Sequence, residues 1–467
     1  MLFNSFVFAG LFLPLCLACF WLSPTAGAKR WTLLVFSLVF YGYWSPPFLL
    51  LLVGLVTVAW ACALASERTD KPWPVWLASI LLLGTLAYFK YAGFLGRVFQ
   101  DIGLTGGTAP VFANVILPLG ISFIVFQALG YVIDVHRREF KAERSFSITL
   151  LFKAFFPQLI AGPICRAHEL MPQLKGEFTF NARRFMAGVA IFCVGLFLKL
   201  TFADALAPLV DQLYAAEAAL SRVEAWAAAV GFGFQIYADF WGYSSMAVGL
   251  ALMVDIDIPV NFKLPYLATS IRDFWRRWHV TLSQWLRDYL YISLGGSRHG
   301  KLRTVTALLA TMLLGGLWHG ANYTFIIWGA IYGVALTIEH FLPRHWTVHE
   351  GERTAASMAR GVVGFAYTAL IVIFAWVFFR AADVASATEI TSAMVSGAQA
   401  PATAVVRQIA LLCAILFVLQ VPAYRLIERA RLVGLSVAAG IPVAFFLLLA
   451  AIVMGSPEAV PFIYFEF

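Results

Sequence analysis

Apolar residues in this chain run in long unbroken stretches, and polar residues collect between them. The stretches 2–22, 31–44, 48–65, 73–89, 112–133, 184–201, 225–254, 304–318, 322–341, 361–379, 406–422 and 434–454 each approach the roughly 20 residues a helix needs to cross a hydrocarbon core. The pair 31–44 and 48–65, split by Ser45-Pro46-Pro47, reads as two helices or as one kinked element. Segment 147–165 differs. It contains Lys153, Pro157 and Gly162-Pro163 and is too interrupted for a plain span, which predicts a re-entrant or buried irregular element. No internal repeat is visible, which argues weakly against the repeat-built transporters.

Composition agrees with the pattern. Of 467 residues, 61% are hydrophobic and 12% charged, and the mean hydropathy is +0.82. An ordinary soluble domain carries about twice that charge. The expected fold class is an all-α polytopic membrane protein, with one membrane domain over residues 1–467. Segment 2–22 has no Lys or Arg before Lys29, so it lacks a signal peptide's basic region and reads as a retained first span. Cys16 and Cys19 have C-x-x-C spacing but sit inside an apolar run, where they read as small packing residues. The formal charge of +8 comes from loops, and charged rims suit anionic lipid headgroups. Basic clusters in 136–144, 263–303 and 425–431 place those loops in the cytoplasm by the positive-inside tendency.

The sharpest functional signal is Leu313-Leu314-Gly315-Gly316-Leu317-Trp318-His319-Gly320-Ala321-Asn322. From Thr304 to Ile338 there is no Asp, Glu, Lys or Arg, and helical rise places His319 roughly 20 Å into the run. An ionisable group at membrane depth is a functional-site candidate by default. The glycines suggest a broken helix, tolerated only where protein or a water-filled cavity covers it. The competing reading is a glycine-rich packing seam with a histidine satisfied by a neighbouring helix.

Upstream, Ser270 to Ile292 reads as an amphipathic helix started by a Ser270/Asp273 capping box. At about 100° per residue, Trp275, Trp278, Leu282, Trp285 and Tyr289 form one stripe. Arg272, Arg276, His279, Ser283 and Arg287 form another. That is the pattern of an interfacial helix. It is either a surface anchor or a basic face able to hold the phosphates or pantetheine arm of a coenzyme A or carrier-protein donor.

Asp239 is the only formal charge between Glu224 and Asp255. Gln235, Tyr237, Tyr243 and Ser244 are candidates to satisfy it, and orienting a partner on another helix is at least as good a role as catalysis. The chain has no G-x-x-x-x-G-K-[ST] phosphate loop, which leaves ATP-driven transport unsupported, and it has no G-x-S-x-G elbow or H-E-x-x-H site. His340, His345 and His349 near Glu339 and Glu350 read as a solvated loop and no metal site is expected.

A neutral histidine at membrane depth can take a proton from an attacking hydroxyl and return it to a leaving thiolate. Acyl transfer from a thioester further needs alignment and donors for the developing oxyanion. Asn322, Trp318 Nε1 and amides near Gly315 and Gly316 are the candidate donors.

At this point several motifs resemble the membrane-bound O-acyltransferase family, and within it the alginate O-acetylation branch. They are Leu117-Pro118-Leu119-Gly120-Ile121-Ser122-Phe123, Tyr131-Val132-Ile133-Asp134-Val135 and Phe155-Phe156-Pro157-Gln158-Leu159-Ile160-Ala161-Gly162-Pro163. Phe274-Trp275-Arg276-Arg277-Trp278-His279, Trp285-Leu286-Arg287-Asp288-Tyr289-Leu290-Tyr291-Ile292-Ser293-Leu294-Gly295-Gly296 and Met312 to Asn322 complete the set. The ending Phe462-Ile463-Tyr464-Phe465-Glu466-Phe467 looks like the branch's aromatic terminus. Where relatives read Gly-Tyr-Ser-Asp-Met-Ala, this chain has Gly242-Tyr243-Ser244-Ser245-Met246-Ala247 and lacks the carboxylate.

The resemblance implies about 11–13 transmembrane or re-entrant helices forming a funnel, with a catalytic core over 112–341 and peripheral helices in 1–111 and 342–467. It implies that His319 and His279 are the catalytic pair, supported by Arg276, Arg277, Trp318, Asn322, Asp239, Arg287 and Asp288. It implies acetyl-CoA as donor, no metal, a bacterial inner-membrane location, and periplasmic acetyltransferases as partners that pass acetyl to an exopolysaccharide. Alginate is the first expectation for that polymer, with cellulose and peptidoglycan as alternatives. A transporter or a non-catalytic scaffold of polysaccharide export is the competing class.

Overall fold

The computed structural model describes residues 1–103, 115–216, 219–298, 300–342, 354–454 and 461–463. Every helix or strand assigned among them is a helix. Seven are long and apolar enough to cross a membrane: Pro46–Arg68, Trp73–Asp101, Ala182–Tyr214, Tyr323–Phe341, Ala356–Arg380, Ala404–Val433 and Val437–Met454. Phe8–Leu22 and Ile121–His136 are shorter apolar helices. Large apolar side chains such as Leu11, Leu50, Ile80, Val418 and Ile452 stand exposed along these helices, an arrangement that suits lipid and not water. The chain is an all-α, multi-pass membrane protein.

Ser45-Pro46-Pro47 separates two helices, Ala26–Gly42 and Pro46–Arg68. Ser45 is extended, and proline suits the first helical turn because its missing N–H is not needed there. Segment 147–165 is broken as its composition predicts. The helix Phe146–Ala154 stops at Phe155, a single turn Phe156–Leu159 follows, and Lys153 is buried with its ammonium 4.3 Å from the Phe152 ring.

Contacts divide the chain into two compact units. The first takes residues 1–193, 243–259 and 430–445; the second takes 194–242, 260–429 and 446–467.

In the first unit, the two motifs 117–123 and 155–163 meet. Gly120 has φ +71°, a backbone angle that favours glycine, and a Cβ there would crowd the Leu159 carbonyl at 3.1 Å. Gln127 Nε2 donates to Gln158 Oε1 and to the Cys165 carbonyl at 3.2 and 3.0 Å. The Arg431 guanidinium grips the Asp257 carboxylate with two bonds of 2.7 and 3.1 Å.

In the second unit, the core is aromatic. Trp278, Trp328, Trp376, Tyr237 and Tyr332 are all buried. Trp278 packs at 5.0 Å against both Phe262 and Trp376. An apolar cavity of about 180 Å³ lies behind Trp376, walled by Gly233, Tyr266, Phe274, Val372 and Phe417. This packing holds the two histidines singled out by the sequence.

Candidate active site

Helix Lys301–His319 runs without interruption through Gly315 and Gly316. The helix break expected beside those glycines occurs after His319. Gly320 is extended at φ −159°, and Asn322 opens the next helix, Tyr323–Phe341. The glycines form a packing seam, because a Cβ on Gly316 would stand 2.2 Å from the Phe325 carbonyl and one on Gly329 2.3 Å from that of Met312. Their amides belong to helical hydrogen bonding, which removes them as oxyanion donors. The packing-seam reading therefore holds for the glycines, and they bring the two helices close enough to bury His319 at the end of the first.

His319 is 4% exposed and caged by rings. Trp318 and Trp328 lie 5.0 Å from its ring and Phe379 5.2 Å, all edge-on. Trp318, itself buried, stands 6.1 Å from the ring of His279. One tryptophan therefore touches both histidines.

The continuous amphipathic helix expected over Ser270–Ile292 is corrected by the structure. Three pieces replace it: Ile271–Arg277, Val280–Trp285 and a π-helical turn Leu286–Tyr291. The first opens as its sequence predicts, with the Ser270 side chain accepting from the Asp273 N–H. It breaks at His279, whose φ of +42° lies in the left-handed region. A helical wheel holds only while the backbone stays helical, so His279 leaves the basic stripe and is completely buried. Its ring packs edge-on at 4.6 Å against Phe240. Burial pushes the imidazole pKa down to about 3, so His279 is neutral.

The left-handed turn is held from both sides. The Val280 N–H donates to the Asn261 carbonyl at 3.0 Å, and Lys263 N–H donates to the Arg277 carbonyl at 2.9 Å. The Thr281 hydroxyl donates to Asn261 Oδ1 at 2.7 Å. Backbone strain of this kind persists only where the surroundings over-determine it, and it clusters at functional sites.

Asp239 finds partners other than the polar neighbours on its own helix. Its carboxylate pairs with Lys199 Nζ at 2.9 Å and accepts the Ile463 N–H at 2.7 Å. Lys199 also pairs with Asp204 at 2.6 Å and donates to the Pro461 carbonyl at 3.2 Å. All three side chains are buried. The next residue, Phe240, lies between His279 and Phe462, at 4.6 and 5.5 Å.

The remaining predicted residues are dispersed. Arg276 is exposed, Arg277 pairs with Asp273 at 2.9 Å, and exposed Arg287 pairs with Asp288 at 2.6 Å. Asn322 has both amide groups engaged: Oδ1 caps Thr324 N–H and Nδ2 donates to the Ala382 carbonyl at 2.8 Å. Glu339, considered with the nearby histidines, instead accepts the N–H groups of Ile271 and Arg272 and so caps the piece leading to His279. His345, His349, Glu350 and Tyr464 to Phe467 lie outside the described residues. Among the described residues, no three His, Cys, Asp or Glu side chains converge as a metal-ligand set.

Sequence reading missed Asn261, Thr281, Lys199, Trp328 and Phe379. Only Lys199 carried a usable signal, as the lone charge between Arg184 and Asp204.

The model of the membrane-bound O-acyltransferase family matches residues 144–379, a stretch holding both histidines, Lys199 and Asp239. The chain belongs to the membrane-bound O-acyltransferase family. It is similar to a probable alginate O-acetylase, AlgI, of Pseudomonas putida, 41% identical over 85% of this chain and 80% of the relative. It is similar to a peptidoglycan O-acetyltransferase of Helicobacter pylori, 36% identical with the same two coverages, 85% and 80%. A teichoic acid D-alanyltransferase of Bacillus subtilis is 27% identical over 57% of this chain and 73% of its own length. As a member of the membrane-bound O-acyltransferase family, the chain is an O-acyltransferase, and the buried histidine pair is its candidate catalytic centre.

Proposed function

We propose that this chain passes acetyl groups from a cytoplasmic acetyl-CoA donor across a bacterial inner membrane for O-acetylation of an exopolysaccharide of the alginate class. The observation that carries the reading is the buried His319, at the end of its helix in a ring cage, in a chain 41% identical to a probable alginate O-acetylase. In this reading His319 takes the proton of the attacking hydroxyl as its oxygen bonds to the thioester carbonyl carbon. The C–S bond breaks, and the proton goes to the leaving thiolate. Trp318, which touches both rings, is assigned to hold the two imidazoles in fixed relation and to donate Nε1–H to the developing oxyanion. Neutral His279 is assigned as the second polar contact of the reacting groups. Arg276, Arg277, Arg287 and Asp288 are assigned to the phosphates and pantetheine of the donor, and periplasmic acetyltransferases to the receiving side.

A second acceptor, peptidoglycan, is favoured by the 36% identity to the Helicobacter pylori enzyme. Acetyl-ester content of both secreted polysaccharide and cell wall, in a deletion strain complemented with wild type or His319→Ala at matched membrane abundance, tests the proposal. Loss of ester from the polysaccharide alone, at unchanged polymer yield, is the expected result. Loss from the wall alone would transfer the assignment to peptidoglycan. Unchanged esters in both would remove His319 as the base.

A further inference from the structure

We infer a binding site for an anionic glycerophospholipid in the first unit, at the start of helix Ala26–Gly42. A cavity of about 350 Å³ opens there, large compared with a water site and unrelated to the histidines. One stripe of that helix, Gly27, Arg30, Trp31 and Leu34, lines it. Helix Phe146–Ala154 and its cap supply Ser145, Ser147, Ile148 and Leu151. Both stripes run from polar to apolar in chain order from their N-terminal ends. The cavity therefore grades from charged to greasy, as a phospholipid does from headgroup to chain.

The polar end favours a phosphodiester. One nitrogen of the Arg30 guanidinium donates to the carbonyls of Lys175 and Gly176 at 3.2 and 3.4 Å, which fixes that side chain at the rim. Glu143 also lines the cavity, but its charge is offset by Lys175 at 2.8 Å. The Arg30 charge is left over, so an anionic headgroup is preferred to a zwitterionic one. The Ser145 and Ser147 hydroxyls are hydrogen-bonded to each other at 3.0 Å, which leaves one of their two protons for a phosphate oxygen.

The source of the ligand is the bilayer. Trp31 is 59% exposed and begins a stripe with exposed Val35 and Val39, so the cavity mouth adjoins a lipid-facing surface at the level where tryptophan and basic residues mark the membrane boundary. The buried Leu34 and Leu151 with half-buried Ile148 form a wall that an acyl chain fits and free phosphate does not use.

Native mass spectrometry of the full chain, released from detergent with phosphatidylglycerol, phosphatidylethanolamine or inorganic phosphate, tests the site. Phosphatidylglycerol is expected to be retained in preference to phosphatidylethanolamine and not displaced by inorganic phosphate. Arg30→Gln should weaken retention about tenfold, the effect of one lost charge-assisted hydrogen bond. Ile148→Trp, which fills the apolar wall, should weaken it as well. Arg407→Gln, at an exposed arginine elsewhere, should leave it unchanged. Equal retention in wild type, Arg30→Gln and Ile148→Trp overturns the inference. So does an equal loss in Arg407→Gln, which would mean general charge attraction, or displacement by inorganic phosphate, which would mean a free-anion site. Melting temperature in lipid-free detergent checks that each variant is folded, and Ile148→Trp carries the test if Arg30→Gln is not.

Discussion

The Thr281 hydroxyl donates to Asn261 Oδ1 at 2.7 Å, two residues past a buried histidine with a left-handed backbone. Twenty residues separate the partners in sequence. The bond joins the strained turn to a segment that also accepts the Val280 N–H, so the orientation of His279 is set from outside its own helix. Thr281→Val keeps the shape and removes the shorter of the two Thr281 bonds to Oδ1. It should cost about 1–3 kcal/mol and lower acyl transfer, and Thr281→Ser should restore both. Thermal unfolding in detergent, run beside transfer assays, checks the pairing.

His279 offers a backbone test. At φ +42° a residue with a Cβ costs roughly 1–2 kcal/mol that glycine does not. His279→Gly should therefore melt above His279→Ala, the reverse of the usual helix ordering, while both lose transfer activity. If alanine melts higher, strain at this turn is not a factor in stability.

The same burial makes stability depend on pH. Folded His279 titrates near 3, against 6.5 in its unperturbed state. Above 6.5 both forms are neutral and the histidine adds no pH slope. As pH falls from 6.5 toward 3, the unfolded chain binds a proton that the folded chain refuses, so stability declines across that window. Melting temperatures of wild type and His279→Gln between about pH 7.5 and 5 should diverge, with the wild type falling faster.

Lys199 holds two buried carboxylates, Asp204 and Asp239, together. Lys199→Met leaves both without their counter-charge and should cost about 3–5 kcal/mol, enough to lower membrane abundance. The triple change Lys199→Met, Asp204→Leu and Asp239→Leu removes the charges together and should cost less than Lys199→Met alone. Quantitative membrane immunoblots and thermal melts separate the two outcomes.

Much of the site was legible in order of chemical cost. His319 stood out because a charge-free run makes any ionisable group conspicuous, and Asp239 for the same reason. The two-helix reading of 31–65 and the interruption in 147–165 followed from proline and glycine. The role of Gly315 and Gly316 was not legible, because glycine marks both a break and a close approach, and only the Phe325 carbonyl beside Gly316 distinguishes them here. The basic stripe containing His279 failed for a related reason: a periodicity argument assumes the helix it seeks to establish. Asn322 was read as a donor, yet it sits where a helix begins and caps it.

By itself the sequence determined that this chain lives in a membrane, that it is helical, and which histidine sits in a charge-free run. These follow from transfer free energy and local backbone chemistry, which are properties of neighbouring residues along the chain. The tertiary structure alone decided that His279 turns inward, that Trp318 joins it to His319, and that Lys199 binds Asp239 and the Pro461 carbonyl. Those outcomes depend on contacts between residues up to 262 positions apart. A left-handed turn or a buried ion pair is stable only when such distant partners supply the hydrogen bonds that water would otherwise provide.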